Sequence, residues 1–201
     1  MTGEHDLFDV IERQRACRTF TDAEVPDDVV GRVLRAATRA PSAENAQPWV
    51  FVVVRDAVTR ASIGELMRRA WDGGARRHSE GRLSPALLAD VDRGATGSLA
   101  RAPVHVIVGA DLARCLPQTV GSSIFPAVQN LLLAATAEGL GSVLTTLATT
   151  QADEIRRLAG LAATIEIVAV VPLGWPARPA APGTRRPLSE VAFRETTDHP
   201  W

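Results

Sequence analysis

Two stretches of this sequence carry groups suited to holding a flat, anionic small molecule. Arg13-Gln14-Arg15-Ala16-Cys17-Arg18-Thr19-Phe20 presents three arginines within six positions. A guanidinium grips phosphate through a planar fork of donors and keeps its charge at any ordinary pH. About one helix further on, Ala40-Pro41-Ser42-Ala43-Glu44-Asn45-Ala46-Gln47-Pro48-Trp49 runs directly into Val50-Phe51-Val52-Val53-Val54. The two prolines bias Ala40 and Gln47 away from helical geometry, so Ser42, Asn45 and Gln47 are expected on a fixed loop between a helix and a buried strand. Such a loop offers amides and backbone N–H groups to a polar ring. Alone, it reads better as a helix-to-strand connection in which Ser42 and Asn45 satisfy local backbone groups. The upstream arginines change that balance.

The rest of the composition narrows the chemistry. All 22 basic residues are arginine, and there is no lysine or tyrosine, so a lysine Schiff base and a tyrosine acid or base are excluded. A net charge of −1 argues against nucleic acid as a partner. Cys17 and Cys115 stand far apart without metal-ligand spacing, a usage that suits a reducing cytoplasm, and Cys17 reads as a small buried residue. His5, His105 and His199 are too scattered for a metal site. Met1 to Asp9 has no apolar core of signal-peptide length, and the apolar region from Ile124 to Thr150 is interrupted by polar residues and glycines before it reaches a spanning length. Neither secretion nor a membrane partner is expected.

The elements that must position these groups follow from hydrophobic spacing. Helices are expected over Leu7–Arg15, from Pro26 to just before Pro41, and over Val58–Trp71 and Ile124–Ala135. Strands are expected at Val50–Val54, Pro103–Val108, Ser142–Leu147 and Ile165–Leu173, the first covered on both faces. The Gly- and Arg-rich segment 72–100 reads as a lid or an ordered surface insertion, with one short helical patch near Pro85–Val91. The Ile124–Ala135 helix is apolar almost all round, which suggests burial against a partner subunit as well as against its own sheet. From Gly174 to Trp201 the chain is an extended arm spaced by Pro176, Pro179, Pro182 and Pro187, and it contains Gly183-Thr184-Arg185-Arg186-Pro187. Residues 1–201 read as one domain.

Four separated pieces, in order, resemble the nitroreductase family of flavin enzymes. They are Arg15–Phe20, Ala40–Trp49, Pro126–Leu147 with Gly139-Leu140-Gly141-Ser142, and Pro172-Leu173-Gly174-Trp175-Pro176 followed by Arg185-Arg186-Pro187-Leu188. The resemblance implies an α+β fold, a mostly antiparallel central sheet flanked by helices, in an intertwined homodimer with FMN at the subunit interface. It implies reduction of FMN by NADH or NADPH, then transfer of electrons to a small-molecule acceptor (a nitroaromatic, a quinone or an activated alkene) by a ping-pong mechanism. In that scheme Arg18 lies near N1 and the C2 carbonyl of the flavin, and Arg15, Arg185 and Arg186 hold its phosphate beside Ala16. Pro41, Ser42, Ala43 and Asn45 come from one subunit, Leu144, Thr145 and Thr146 pass the outer edge of the ring, and Gln47 either touches the flavin or braces the loop. No side chain is assigned a catalytic acid or base role; His78, Ser122 and Ser123 read as surface or capping groups. Trp71, Phe125 and Trp175 read as core or interface residues before stacking partners.

The sequence departs from the family at Gln14 and Ala16, where a second arginine and a serine are usual. The expectation is that Arg185 and Arg186 make up the missing charge. A flavin-binding carrier or regulatory protein with little turnover, and a flavin-destroying branch, stay open as alternatives. The iodotyrosine deiodinase branch captures its amino acid with a glutamate, a tyrosine and a lysine, and this chain has neither of the last two. Without a Gly-x-Gly-x-x-Gly after a strand, the choice between NADH and NADPH has no readable determinant.

Overall fold

The protein is described from a computed structural model covering residues 6–178 and 183–201; residues 1–5, including His5, and Pro179 and Pro182 of the arm lie outside the described residues. Four strands, β1 (Trp49–Val54), β2 (Val104–Asp111), β3 (Gly141–Ser142) and β4 (Ile165–Gly174), form one sheet in the order β1-β2-β4-β3. Every pairing is antiparallel, as expected for this fold.

Alternation along the strands divides the core. Val104, Val106, Val108 and Ala110 of β2 face α2 (Asp27–Ala37) and α6 (Val120–Ala137), while Ile107 faces α3 (Ala57–Ala70) and α7 (Ala152–Ala159). In β4 the parity changes once: Ile165 and Ile167 lie with α3 and α7, whereas Ala169, Val171 and Leu173 lie with α2 and α6. A bulge explains the change, since Val108 pairs with Ala169 but Gly109 with Ile167, leaving Val168 as the extra residue. His105 is wholly buried among these side chains, its Nε2 2.9 Å from the Leu99 carbonyl oxygen. Burial pushes its pKa down to about 4.

Several expectations are corrected. The first helix, α1, ends at Arg13, so Arg15 leaves it on an extended backbone. β1 is an edge strand and is only half-buried over most of its length, since among the described residues no strand pairs with its outer side. The strand expected over Ser142–Leu147 is two residues long, followed by a bridge between Thr145 and Val170. Pro172 stands opposite Val143, and a residue without an N–H cannot complete the ladder there. α7 was not foreseen; it buries only Ile155, so its apolar signal is short.

The 72–100 segment is far more helical than one patch. It holds α4 (Arg76–Ser79), α5 (Pro85–Arg93) and wide helical turns at Trp71–Ala75 and Gly94–Ser98. Ser84 caps α5 by accepting from the Leu87 N–H, and Pro85 supplies the preset first residue. Trp71 is a core residue whose indole N–H donates to Asp92 at 2.9 Å.

α6 is long and apolar enough to cross a membrane by length and composition. Here it packs as a core helix along α2 and the sheet, with Ile124, Ala127, Leu131 and Ala135 fully buried and Phe125 exposed.

Candidate flavin site

The segment from Arg15 to Arg18 is fixed by the β3 end of the sheet. Ala16 bridges Ser142 in parallel and the Cys17 N–H donates to the Ser142 carbonyl at 2.9 Å. The approach is close enough that a Cβ on Gly141 would lie 2.5 Å from Cys17 Sγ, so the Gly-Leu-Gly-Ser motif meets the arginine motif at a position only glycine fits. Cys17 is half-buried, not fully buried as expected, and burial pushes its thiol pKa up, which keeps it protonated. The same outer segment carries Leu144, half-buried; Thr145, buried, with its hydroxyl accepting from the Leu147 N–H; and Thr146, exposed.

Arg15 carries the clearest sign of an anion site. Among the described residues its Nε is buried without a hydrogen-bond partner, and its Nη1 donates to the neighbouring Gln14 carbonyl at 2.6 Å. A buried guanidinium N–H left unpaired is costly enough that native structures rarely tolerate it without a partner. Gly183 lies against it: a Cβ there would be 2.8 Å from both Arg15 Nε and Arg185 Nη1. Two guanidinium groups from opposite ends of the chain therefore converge on one small-residue cradle. Arg185 and Arg186 are exposed, and neither has a carboxylate partner among the described residues. The donor set suits a phosphate, the anion that a planar fork of N–H groups binds best. It therefore fits the phosphate of FMN.

Arg18 is placed differently. Its Nη1 donates to Asp90 Oδ2 of α5 at 2.8 Å. Asp90 also accepts from Arg93 at 3.0 Å and from Arg178 at 2.9 Å. Burial raises the Asp90 pKa, but the hydrogen bonds from Arg93 and Arg18 outweigh it, leaving the carboxyl below its ordinary value and ionised.

The 41–47 loop is a tight turn in which Glu44, Asn45 and Gln47 all take left-handed backbone angles, with φ of 55°, 55° and 49°. Local bonds hold it: Ser42 Oγ accepts from the Gln47 N–H at 3.0 Å, and Gln47 Nε2 donates to Asn45 Oδ1 at 3.1 Å. Gln47 thus braces the loop, one of the two roles open to it. The Ala43 N–H donates to Ser123 Oγ at 3.1 Å, and Ser123 is fully buried, so of the two readings given to it, surface or capping group, the surface one is corrected. Its position four residues before Ala127 on the buried stripe of α6 was the signal available. Pro41 is exposed beside this turn. Among the described residues no hydrogen bond joins this loop to the Arg15–Arg18 segment. Each candidate motif is held by its own local bonds.

Sequence reasoning missed Asp90 and Gly183 as well as Ser123. Asp90 lies 72 positions from Arg18, and nothing local marks it as a partner. Of the aromatic candidates, Trp71 is core, Phe125 is exposed, and Trp175 is tied through its indole N–H to the Glu24 carbonyl at 3.0 Å.

Known proteins share this arrangement of elements. A protein of Methanothermobacter thermautotrophicus provisionally named NADH dehydrogenase/NAD(P)H nitroreductase is 32% identical over 183 residues, covering 90% of this chain and 81% of its own length. An iodotyrosine deiodinase of Thermotoga neapolitana is 27% identical over 191 residues, covering 95% and 98%. The crystal structure of an iodotyrosine deiodinase bound to FMN and 3-iodo-L-tyrosine superposes with a TM-score of 0.76 at 26% identity, over 96% of this chain and 100% of that one. The model of the family described as "Nitroreductase family" matches residues 11–175, most of the 201, and the chain belongs to the nitroreductase family.

Proposed function

We propose that this protein is an FMN-dependent oxidoreductase that is reduced by NAD(P)H and passes electrons to a small electrophilic acceptor: a nitroaromatic, a quinone or an activated alkene. The observation that carries the reading is the buried Nε of Arg15, unpartnered among the described residues and close to Arg185 at Gly183, in a chain of the nitroreductase family. When bound, FMN accepts a hydride equivalent from the nicotinamide and returns two electrons to the acceptor.

The chain's own residues bind and orient. Arg15 and Arg185 hold the phosphate, with Arg186 adding exposed charge beside them. Arg18, three residues along an extended backbone, reaches about 10 Å further, towards the pyrimidine end of the flavin. Donor and acceptor use the same face in turn, which makes the kinetics ping-pong. No acid or base from this chain is required.

The second part of the proposal is a homodimer that completes the site. The lack of any hydrogen bond between the two motifs among the described residues supports it, as do the open edge of β1 and the exposed apolar side chains Leu7, Phe8 and Phe125 and, on the arm, Leu188, Phe193 and Trp201. The 41–47 loop of one protomer would then face the Arg15–Arg18 segment of its partner.

The test is reconstitution with FMN, followed by anaerobic addition of NADH and NADPH. Yellow protein that bleaches with either donor, eluting at twice the monomer mass, is the expected result. Bound flavin that never bleaches favours the carrier reading, and a protein that takes up no FMN overturns the proposal.

A further inference from the structure

The 72–100 segment grips Arg18 at three points. Asp90 holds its guanidinium at 2.8 Å, Gly94 lets its stem lie so close that a Cβ there would be 3.1 Å from Arg18 Cδ, and the Ser98 hydroxyl donates to its backbone carbonyl. A side chain that only filled space would need none of these. The carboxylate of Asp90 is also divided, since Arg93 and Arg178 bind its other oxygen, Oδ1. Three positive charges thus meet one negative charge. The fraction of Asp90's charge spent on Arg18 depends on two arginines whose side chains are 50% and 61% exposed.

We propose that Asp90 is the positioning residue of the flavin site: it fixes the Arg18 guanidinium and sets how much positive charge that group presents to the pyrimidine end of the flavin. The inference rests on the FMN reading above. A flavin gains negative charge on reduction, so a cation at that end favours the reduced form, and a carboxylate behind the cation tempers it. Asp90 therefore holds the midpoint potential lower than Arg18 alone would. Arg93 and Arg178 pull the other way by drawing on the same carboxylate.

The experiment is the midpoint potential of the FMN-loaded protein, by equilibrium reduction against a reference dye, with FMN dissociation constants measured alongside. Asp90→Asn should bind reduced flavin about tenfold more tightly relative to oxidised flavin than the parent does, a rise of about 30 mV for a two-electron couple. Asp90→Glu, which keeps the charge, should restore the parent value. The double change Arg93→Gln with Arg178→Gln leaves Asp90 to Arg18 and should move the potential downwards. Those two side chains are largely exposed, so this variant reports even if Asp90→Asn does not fold. An Asp90→Asn potential equal to the parent's, or a double variant that does not move downwards, overturns the inference while flavin binding stands. Parent protein that binds no FMN overturns the flavin reading first, and the inference with it.

Discussion

Arginine is used in two opposite ways in this molecule. At the Gly183 cradle, Arg15 and Arg185 have no carboxylate partner among the described residues, and one N–H is buried with nothing to bond. In the 65–101 region most guanidinium groups pair with a carboxylate: Arg68 with Glu65 and Asp72, Arg69 with Glu154, Arg76 with Glu80 and Asp92, Arg93 with Asp90. The unmatched pair is the one to which the proposed function assigns the phosphate. The matched set ties helices together and, through Asp90, reaches back to Arg18. Counting basic residues would have treated the two groups alike; only their partners separate them.

The sharpest way to break this comparison is to remove the unmatched side. Replacing both Arg15 and Arg185 with alanine should weaken FMN binding by about a hundredfold or more, since each charge-assisted hydrogen bond is worth roughly 1.5–3 kcal/mol. Flavin fluorescence titration checks this, and the loss should shrink as salt rises because the interaction is screened.

A second test asks whether the matched region also depends on a neutral anchor. His105 bonds to Leu99 at the end of that region and is neutral when folded, with a pKa of about 4 against an ordinary 6.5. Between those values the unfolded chain binds the proton and the folded one does not, so stability falls as pH drops from about 6.5 towards 4. The contribution is on the order of 3 kcal/mol, and His105→Gln should flatten that part of the pH profile of denaturant unfolding.

Ser123→Ala should cost about 1–2 kcal/mol by leaving the Ala43 N–H without its partner, read as a lower unfolding midpoint. It should also weaken FMN binding if the 41–47 loop faces the flavin. The smallest effect should come from Arg68→Ala. Its ion pairs are exposed, and neither the melting temperature nor flavin affinity should change measurably. A large loss there would mean that the matched arginines bear more than the comparison allows.

Much of this was legible in the sequence where the signal was local. The helix α2, the apolar strands and the order of the four motifs could be read from spacing. So could Ser42, Asn45 and Gln47 on a fixed loop, because prolines restrict their neighbours. What was not legible depended on partners far along the chain. Asp90 cannot be matched to Arg18 without the fold, and the length of β3 was decided by Pro172 on another strand. The helical nature of 72–100 was hidden because α4 and α5 bury no side chain fully, so their periodic signal is weak. The resemblance to deiodinases coexists with the absence of lysine and tyrosine. The two facts fit if the scaffold is shared while acceptor capture differs.

The extra residue in β4 acts as a counting device. Because Val168 has no partner of its own, odd-numbered residues of β4 lie in one layer before it and in the other after it. Deleting it would leave a ladder that pairs residue for residue with β2, with Ile167 and Ala169 still on their present faces. Thr145 and Ser142, aligned to Val170 and Leu173, would keep their places. The bulge absorbs one surplus residue without disturbing either layer, and an alignment that forces a residue-for-residue match through it would put every position on one side of it on the wrong face.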